Sequence, residues 1–166
     1  MNYFAIGVPV GRLNEGSERY FCRGGQLLNM SAEAFALWVL FLHGADSELV
    51  LWREAGQADS AKRAVLDALV ASGLLVPQEE LLSHAPQRQG YGVGYSQRDH
   101  RCRVQLGDGV RVSYPAFLLW AYCDGRSTCL EILNRLPAEV SGVFTQAHAR
   151  AAIQELLREN LILFED

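Results

Sequence analysis

Two patterns of hydrophobic and polar positions occur along this chain. Apolar and polar residues alternate at residues 101–106, which is the period of a strand with one buried face. Residues 32–43 and 114–123 are instead apolar on nearly every side of a helix, which is typical of a helix buried in a core. The pattern therefore predicts short strands that lead into buried helices, once in each half.

One stretch of the sequence is present twice, with a separation of 82 positions. The residues that recur are Ser31, Ala34, Phe35, Leu37 and Trp38 in the first copy, and Ser113, Ala116, Phe117, Leu119 and Trp120 in the second. The serine precedes the apolar run in both copies, where its oxygen can accept a hydrogen bond from an N–H of the first helical turn. The repeated aromatic pairs lie three residues apart, on one helix face, and are predicted to pack in a core. The duplication predicts two units with the same order of elements.

Each copy is predicted to contain three strands followed by three helices. In the first copy the strands are placed at residues 3–10, 19–23 and 26–30, and the helices at 32–43, 48–55 and 60–72. In the second copy the strands are placed at residues 91–94, 101–106 and 110–112, and the helices at 114–123, 129–136 and 145–159. Residues 4–7 are aligned with residues 91–94 as the starts of the two copies.

The predicted fold class is α+β, with two domains at residues 1–80 and 88–166. Each domain is a small three-stranded antiparallel sheet followed by three helices. Residues 77–89, which include two prolines and two glutamates, are interpreted as a linker.

Composition excludes several classes of protein. The chain has 166 residues, of which 49% are hydrophobic, as in an ordinary globular protein. Its longest apolar run, residues 34–42, is under half of the ~20 residues that a membrane-spanning helix needs. The N-terminus has no basic segment before its apolar part, so no signal peptide is expected and the predicted location is the cytoplasm.

No catalytic or metal-binding motif is evident. The four cysteines form no C-x-x-C pair and are predicted to be reduced thiols, and a zinc site built from Cys123, Cys129 and His148 lacks motif spacing. The four histidines have no motif-spaced nucleophile or carboxylate partner. We therefore expect a protein that is not an enzyme and that uses no cofactor.

The second copy contains a motif after its first helix. Its residues are Asp124-Gly125, Thr128, Glu131-Ile132 and Leu136, followed by Ala151-Ala152-Ile153 and Leu156-Leu157. This run resembles the PqqD-like family, small winged-helix-like domains that recognise leader peptides in the biosynthesis of ribosomally made, modified peptides. The resemblance covers residues 101–163, and the first copy is more divergent. It implies two tandem winged-helix-like domains.

The resemblance also implies a mode of binding, in which an extended peptide adds as a strand to the sheet edge beside the third helix. In the first copy the groove would include Leu27 and Asn29 of the hairpin, with Lys62 and Arg63 of the helix. The corresponding residues of the second copy are Val110, Arg111 and Val112, with His148 and Arg150. The expected partner is a peptide or protein.

Two other functions remain open from the sequence. A DNA-binding winged-helix regulator could place Lys62-Arg63 or His148 and Arg150 in a groove of the duplex. The net charge of −4 disfavours it, because phosphate neutralisation supplies most nonspecific affinity for nucleic acid. The second is an architectural module that binds another protein through paired winged helices, and the composition of the chain is compatible with it as well. No membrane partner is expected.

Overall fold

A computed structural model describes residues 1–13, 15–55, 60–96, 101–105, 107–136 and 144–164. This part of the chain is a mixture of helices and several small antiparallel sheets. The contacts divide the chain into two compact units, Met1–Leu81 and Leu82–Phe164. We call them the N-unit and the C-unit.

The N-unit contains two three-stranded antiparallel sheets. Its elements are β1 (Asn2–Ala5), β2 (Val8–Gly11), β3 (Arg19–Arg23), β4 (Gln26–Met30), α1 (Ala32–Val39), β5 (Ala45–Asp46), α2 (Ser47–Ala55), α3 (Ser60–Ala71) and β6 (Leu75–Pro77). Strands β2, β3 and β4 form a meander with β3 in the middle. In the second sheet, β1 pairs with both β5 and β6.

The C-unit has nearly the same order of elements. They are β7 (Pro86–Arg88), β8 (Tyr91–Ser96), β9 (Arg101–Gln105), β10 (Val110–Ser113), α4 (Tyr114–Tyr122), α5 (Cys129–Arg135), α6 (Gln146–Arg158) and β11 (Ile162–Phe164). Strands β8, β9 and β10 form the meander, and β7 pairs with β11. A single bridge between Gln87 and Asp124 takes the place that β5 has in the N-unit.

The predicted α+β class is confirmed, and the strand predicted at residues 91–94 is present as β8, whereas the single strand predicted at residues 3–10 is wrong. Residues 3–10 were predicted to be one strand, but the chain leaves β1 at Ile6-Gly7 and enters a different sheet as β2. Residues 86–88, predicted to belong to a linker, form β7 and pair with the last strand of the C-unit. In both units, the strand that precedes the meander pairs with the strand that follows the third helix. Strand β1 pairs with β6, and β7 pairs with β11.

A glycine at the turn into each meander shows which residues are equivalent at the starts of the two units. Gly7 and Gly90 both have a positive φ, of +114° and +76°. A Cβ placed on Gly7 would lie 2.9 Å from the carbonyl oxygen of Cys22, and one on Gly90 would lie 2.5 Å from that of Gln105. Gly90 is therefore the counterpart of Gly7, and the alignment of residues 4–7 with residues 91–94 is wrong.

The repeated tryptophans are buried, as predicted. Trp38 is 0% exposed, packs against Phe21 and Phe35, and donates from its indole N–H to the carbonyl of Leu74 at 3.0 Å. Trp120 is 4% exposed, packs on Phe117 at 5.6 Å, and donates to the carbonyl of Gln89 at 2.9 Å. A buried indole N–H needs such an acceptor, and each unit supplies one from a backbone carbonyl.

The third helices end in the same way. Gly73 and Asn160 both have a positive φ, which these two residue types tolerate at a helix C-terminus. Just beyond them, the N–H of Leu74 donates to the carbonyl of Leu69, and the N–H of Leu161 donates to that of Leu156. Leu69 and Leu156 are therefore equivalent, and Ala68 is equivalent to Glu155.

Candidate functional site

Each meander presents one strand at its edge that leads directly into a helix: β4 in the N-unit and β10 in the C-unit. Edge strands are the part of a sheet that can pair with another chain. The residues predicted to bind a peptide lie on these two strands and on the third helix of each unit. The two edges differ in what surrounds them.

Strand β4 is exposed along most of its length. Leu27 is 53% exposed and Leu28 39%, although they point to opposite faces of the sheet. The side-chain amide of Asn29 donates to Glu18 at 2.9 Å. The predicted residues Leu27 and Asn29 thus share the outer face, because they lie two positions apart on the strand.

The two basic residues predicted on α3 face other helices. Lys62 lines a cavity of about 200 Å³ between α1 and α3, together with Glu33 and Val65. Arg63 forms an ion pair with Glu48 of α2 at 2.8 Å, and the hydrogen bond from Arg63 lowers the pKa of that carboxyl. The structure therefore joins Arg63 to α2, and the ion pair does not involve β4.

On β10 the three predicted residues have different environments. Val112 is 0% exposed and belongs to the core, so its side chain is not available to a ligand. Val110 is half-buried and Arg111 is exposed. Of these three side chains, a ligand could therefore contact those of Val110 and Arg111.

The predicted residues of α6 also differ. His148 is exposed, and its Nδ1 accepts the N–H of Thr145 at 3.2 Å, which completes a capping box at the start of the helix. Arg150 is half-buried, and its buried Nε has no hydrogen-bond partner among the described residues. His148 therefore stabilises the start of α6 in this structure.

A carboxylate that the sequence interpretation missed joins α6 to the end of β10. Glu155 accepts the backbone N–H of Ser113 at 2.8 Å and the hydroxyl of Ser113 at 2.5 Å. It also pairs with the guanidinium of Arg101 at 3.0 Å. In the N-unit the equivalent of Glu155 is Ala68, and the N–H of Ser31 makes no hydrogen bond to any residue that the structure describes. The helix-to-edge connection is specific to the C-unit.

Replacing Glu155 with alanine should lower the free energy of unfolding by roughly 1–3 kcal/mol, because three donors of a partly buried site lose a charged acceptor. Urea denaturation of wild type and variant measures the difference. Glu159→Ala, an exposed change at the end of the same helix, should stay within about 0.5 kcal/mol of wild type. Equal effects of the two substitutions would contradict the connection.

The motif that resembles the PqqD-like family has a clear local role. Asp124 accepts the N–H groups of Ser127 and Arg126, which lowers the pKa of its carboxyl to about 2. Thr128 and Glu131 cap α5 reciprocally. These residues shape the turn between α4 and α5, so in this chain the motif specifies local structure.

The described residues contain no group of three or more His, Cys, Asp or Glu side chains that could hold a metal ion. Cys123 is buried and its thiol donates to the carbonyl of Leu119, and burial raises the pKa of this thiol far above its usual range. A buried thiol with a raised pKa is a poor metal ligand and nucleophile. Among the residues that the structure describes, no helix is both long enough and apolar enough to span a bilayer.

Comparison with known proteins adds no constraint on the function. No family model, no curated protein and no solved structure matches the chain. The site must be interpreted from its own geometry.

Proposed function

We propose that this protein is a non-catalytic peptide-binding module of two winged-helix-like units, and that an extended peptide adds as a strand to β10 beside α6. The proposal assigns it to precursor-peptide recognition in the biosynthesis of modified peptides, as the PqqD-like resemblance implies. Main-chain hydrogen bonds would supply affinity, and side chains on alternate positions would supply specificity.

The connection between Glu155 and Ser113 is the observation that supports this site. The N–H of Ser113 is directed away from β9 and toward α6, where a carboxylate accepts it. In an antiparallel strand, alternate residues direct their N–H groups to the same edge, so the N–H of Arg111 faces this edge as well. At Ser113 the acceptor is the chain's own Glu155, so a peptide added to β10 would pair with this edge at Arg111.

A proline at Arg111 tests strand addition, because proline removes the N–H and restricts the preceding residue. Random twelve-residue peptides displayed on phage would be selected on the wild-type chain, and the strongest peptide titrated by calorimetry. Arg111→Pro should weaken binding at least about tenfold, which is ~1.4 kcal/mol. Arg111→Ala, which keeps the N–H, should bind within about threefold of wild type by the same conversion.

Circular dichroism would establish that both variants are folded. A comparison of Asn29→Pro with Asn29→Ala tests in the same way whether the peptide adds to β4, the edge strand of the N-unit. Selection of no peptide, or equal binding by wild type, Arg111→Ala and Arg111→Pro, would contradict the proposed site.

A further inference from the structure

Arg63 and Arg150 occupy equivalent positions on the third helices of the two units. The hydrogen bonds that end these helices make Leu69 equivalent to Leu156, and each arginine lies six positions before its leucine. The residue three positions after each arginine is buried in both units. The surroundings of the two guanidinium groups can therefore be compared directly.

The second helices are aligned by their caps. The side chains of Asp46 and Thr128 each accept the N–H of the residue three positions later, as N-caps of α2 and α5 do. Glu48 and Leu130 each lie two positions after the cap. The residue between the cap and this position is buried in both units. Leu130 is therefore the C-unit residue at the position of Glu48.

In the N-unit the arginine has an acidic partner. Nη2 of Arg63 donates to both carboxylate oxygens of Glu48, at 3.0 and 2.8 Å. The pair connects α3 to α2, and both side chains are exposed, at 45% for the arginine and 65% for the glutamate. The N-unit thus shows how a carboxylate is held at this position of the fold.

In the C-unit the equivalent arginine has lost that acid. Arg150 is half-buried, and it has no hydrogen bond or ion pair with any residue that the structure describes. Its Nε is buried without an acceptor. Leu130, which replaces the glutamate, is 37% exposed and offers no acceptor. A partly buried cation that loses hydration without gaining a partner destabilises the folded chain, so its presence requires an explanation.

We propose that Arg150 binds one Asp or Glu side chain of a peptide segment at the surface between α5 and α6, as Arg63 binds Glu48 in the N-unit. Bidentate recognition of a carboxylate is what a guanidinium does best. The apolar Leu130 beside the cation favours a peptide side chain over the phosphates of nucleic acid, which the net charge of −4 also disfavours.

This site is separate from the edge of β10. Arg150 and Glu155 are five positions apart, which is about 140° around an α-helix. Because Glu155 faces the end of β10, the arginine lies on another face of α6. The inference therefore does not rest on strand addition.

The chain contains one alternative acid close in sequence. The connection from α5 to α6 includes a single carboxylate, Glu139, which lies outside the described residues. If Glu139 paired with Arg150, the guanidinium would need no external partner. The test below therefore includes Glu139→Gln.

The test fills the site from within. Leu130→Glu introduces the N-unit acid at its equivalent position, and Leu130→Gln is a control of the same size without the charge. Random twelve-residue peptides displayed on phage would be selected on wild type and then depleted on Leu130→Glu. The peptides that survive depletion bind at this site, whether or not other peptides add to β10. The strongest of them would be titrated by calorimetry.

We expect the surviving peptides to share an Asp or Glu. Its change to Asn or Gln should weaken binding to wild type at least about tenfold, and Arg150→Gln should weaken binding of the acidic peptide to a similar extent. Arg150→Gln should leave the neutral peptide unaffected, because the interaction is already absent. Leu130→Gln should bind the acidic peptide at least about tenfold more tightly than Leu130→Glu.

Thermal unfolding without peptide is the second measurement, and it also establishes that the variants are folded. Leu130→Glu should unfold roughly 2 °C above Leu130→Gln, because the new carboxylate pairs with Arg150. In an Arg150→Gln background this difference should vanish. Glu139→Gln and Arg150→Gln should have additive effects on the unfolding temperature.

Three results would overturn the inference. Depletion on Leu130→Glu could remove every peptide, the survivors could lack a shared acid, or Glu139→Gln and Arg150→Gln could be coupled, which would show that the chain supplies its own carboxylate. None of these results depends on Arg111, so failure of strand addition in the Arg111→Pro experiment is distinguishable from failure at this site.

Discussion

Replacing Trp120 with alanine should lower the free energy of unfolding by about 3–5 kcal/mol, as large-to-small changes in a packed core do. The side chain is 4% exposed, and its ring packs on Phe117 and under the guanidinium of Arg88 at 5.7 Å. The substitution would remove the indole N–H from the carbonyl of Gln89, which lies between β7 and β8. The cavity and the unpaired carbonyl would both destabilise the C-unit.

The chain contains a matched control in Trp52, which is 67% exposed on α2. Trp52→Ala should change the free energy of unfolding by no more than about 0.5 kcal/mol. Guanidinium denaturation followed by circular dichroism measures both variants. A loss below about 1 kcal/mol for Trp120→Ala would show that the repeated aromatic face is not part of a core, since core truncations cost more.

Replacing Gly90 with alanine should cost about 2–5 kcal/mol, of which roughly 1–2 come from its positive φ and 1–3 from overpacking. The new Cβ would lie 2.5 Å from the carbonyl oxygen of Gln105. That oxygen belongs to the backbone of β9, the middle strand of the meander, so it cannot move aside without disturbing β8 or β10.

Gly107 separates the two contributions, because it has φ of +58° and a Cβ there would meet nothing within 4 Å. Gly107→Ala should therefore show only the backbone cost of about 1–2 kcal/mol. Thermal unfolding of the two variants gives the comparison. If Gly90→Ala is no more destabilising than Gly107→Ala, the close approach of this turn to β9 is wrong.

The elements that depend on local chemistry were predictable from the sequence. Ser31 and Ser113 cap α1 and α4 as expected, with side chains that accept the N–H groups of Ala34 and Ala116. The end of α3 beside Gly73 followed from the same kind of rule. These features require only residues a few positions apart, so the sequence pattern contains them directly.

The elements that depend on distant partners were not predictable. Strand β7 has three residues and is defined by its pairing with β11, more than 70 positions later. Nothing in residues 86–88 alone distinguishes a strand from a linker. The break in residues 3–10 has the same origin, because β1 pairs with β5 and β6 and β2 pairs with β3.

The candidate site was predictable in outline. The hairpins indicated which strands lie at an edge, since two consecutive hairpin strands must neighbour each other. The connection from Glu155 to Ser113 spans 42 positions and has no counterpart in the first copy, so the repeat could not indicate it. The partner of Arg63 was likewise a tertiary feature, set by how α2 packs beside α3.

The difference between the two hairpins also concealed which residues of β3 and β9 are equivalent. In the N-unit, Arg23 pairs with Gln26 across a two-residue turn, whereas in the C-unit Val104 pairs with Val110 across a longer loop. The capping serines Ser31 and Ser113 are 82 positions apart. The equivalent residues of β3 and β9, such as Tyr20 and Arg103, are 83 positions apart, so the alignment of the two copies is displaced by one residue in this strand. Because the face of a strand changes with every residue, this displacement decides which side chains share a surface.

Amide hydrogen exchange with and without the selected peptide tests the central claim most directly. Strand addition predicts that amides of β10 become protected at least about tenfold in the complex, since a hydrogen-bonded amide exchanges only when its bond opens. Smaller protection is expected in α6, beside the same edge. Unchanged exchange in β10, with protection confined to the cavity between α1 and α3 or to another surface, would contradict the account.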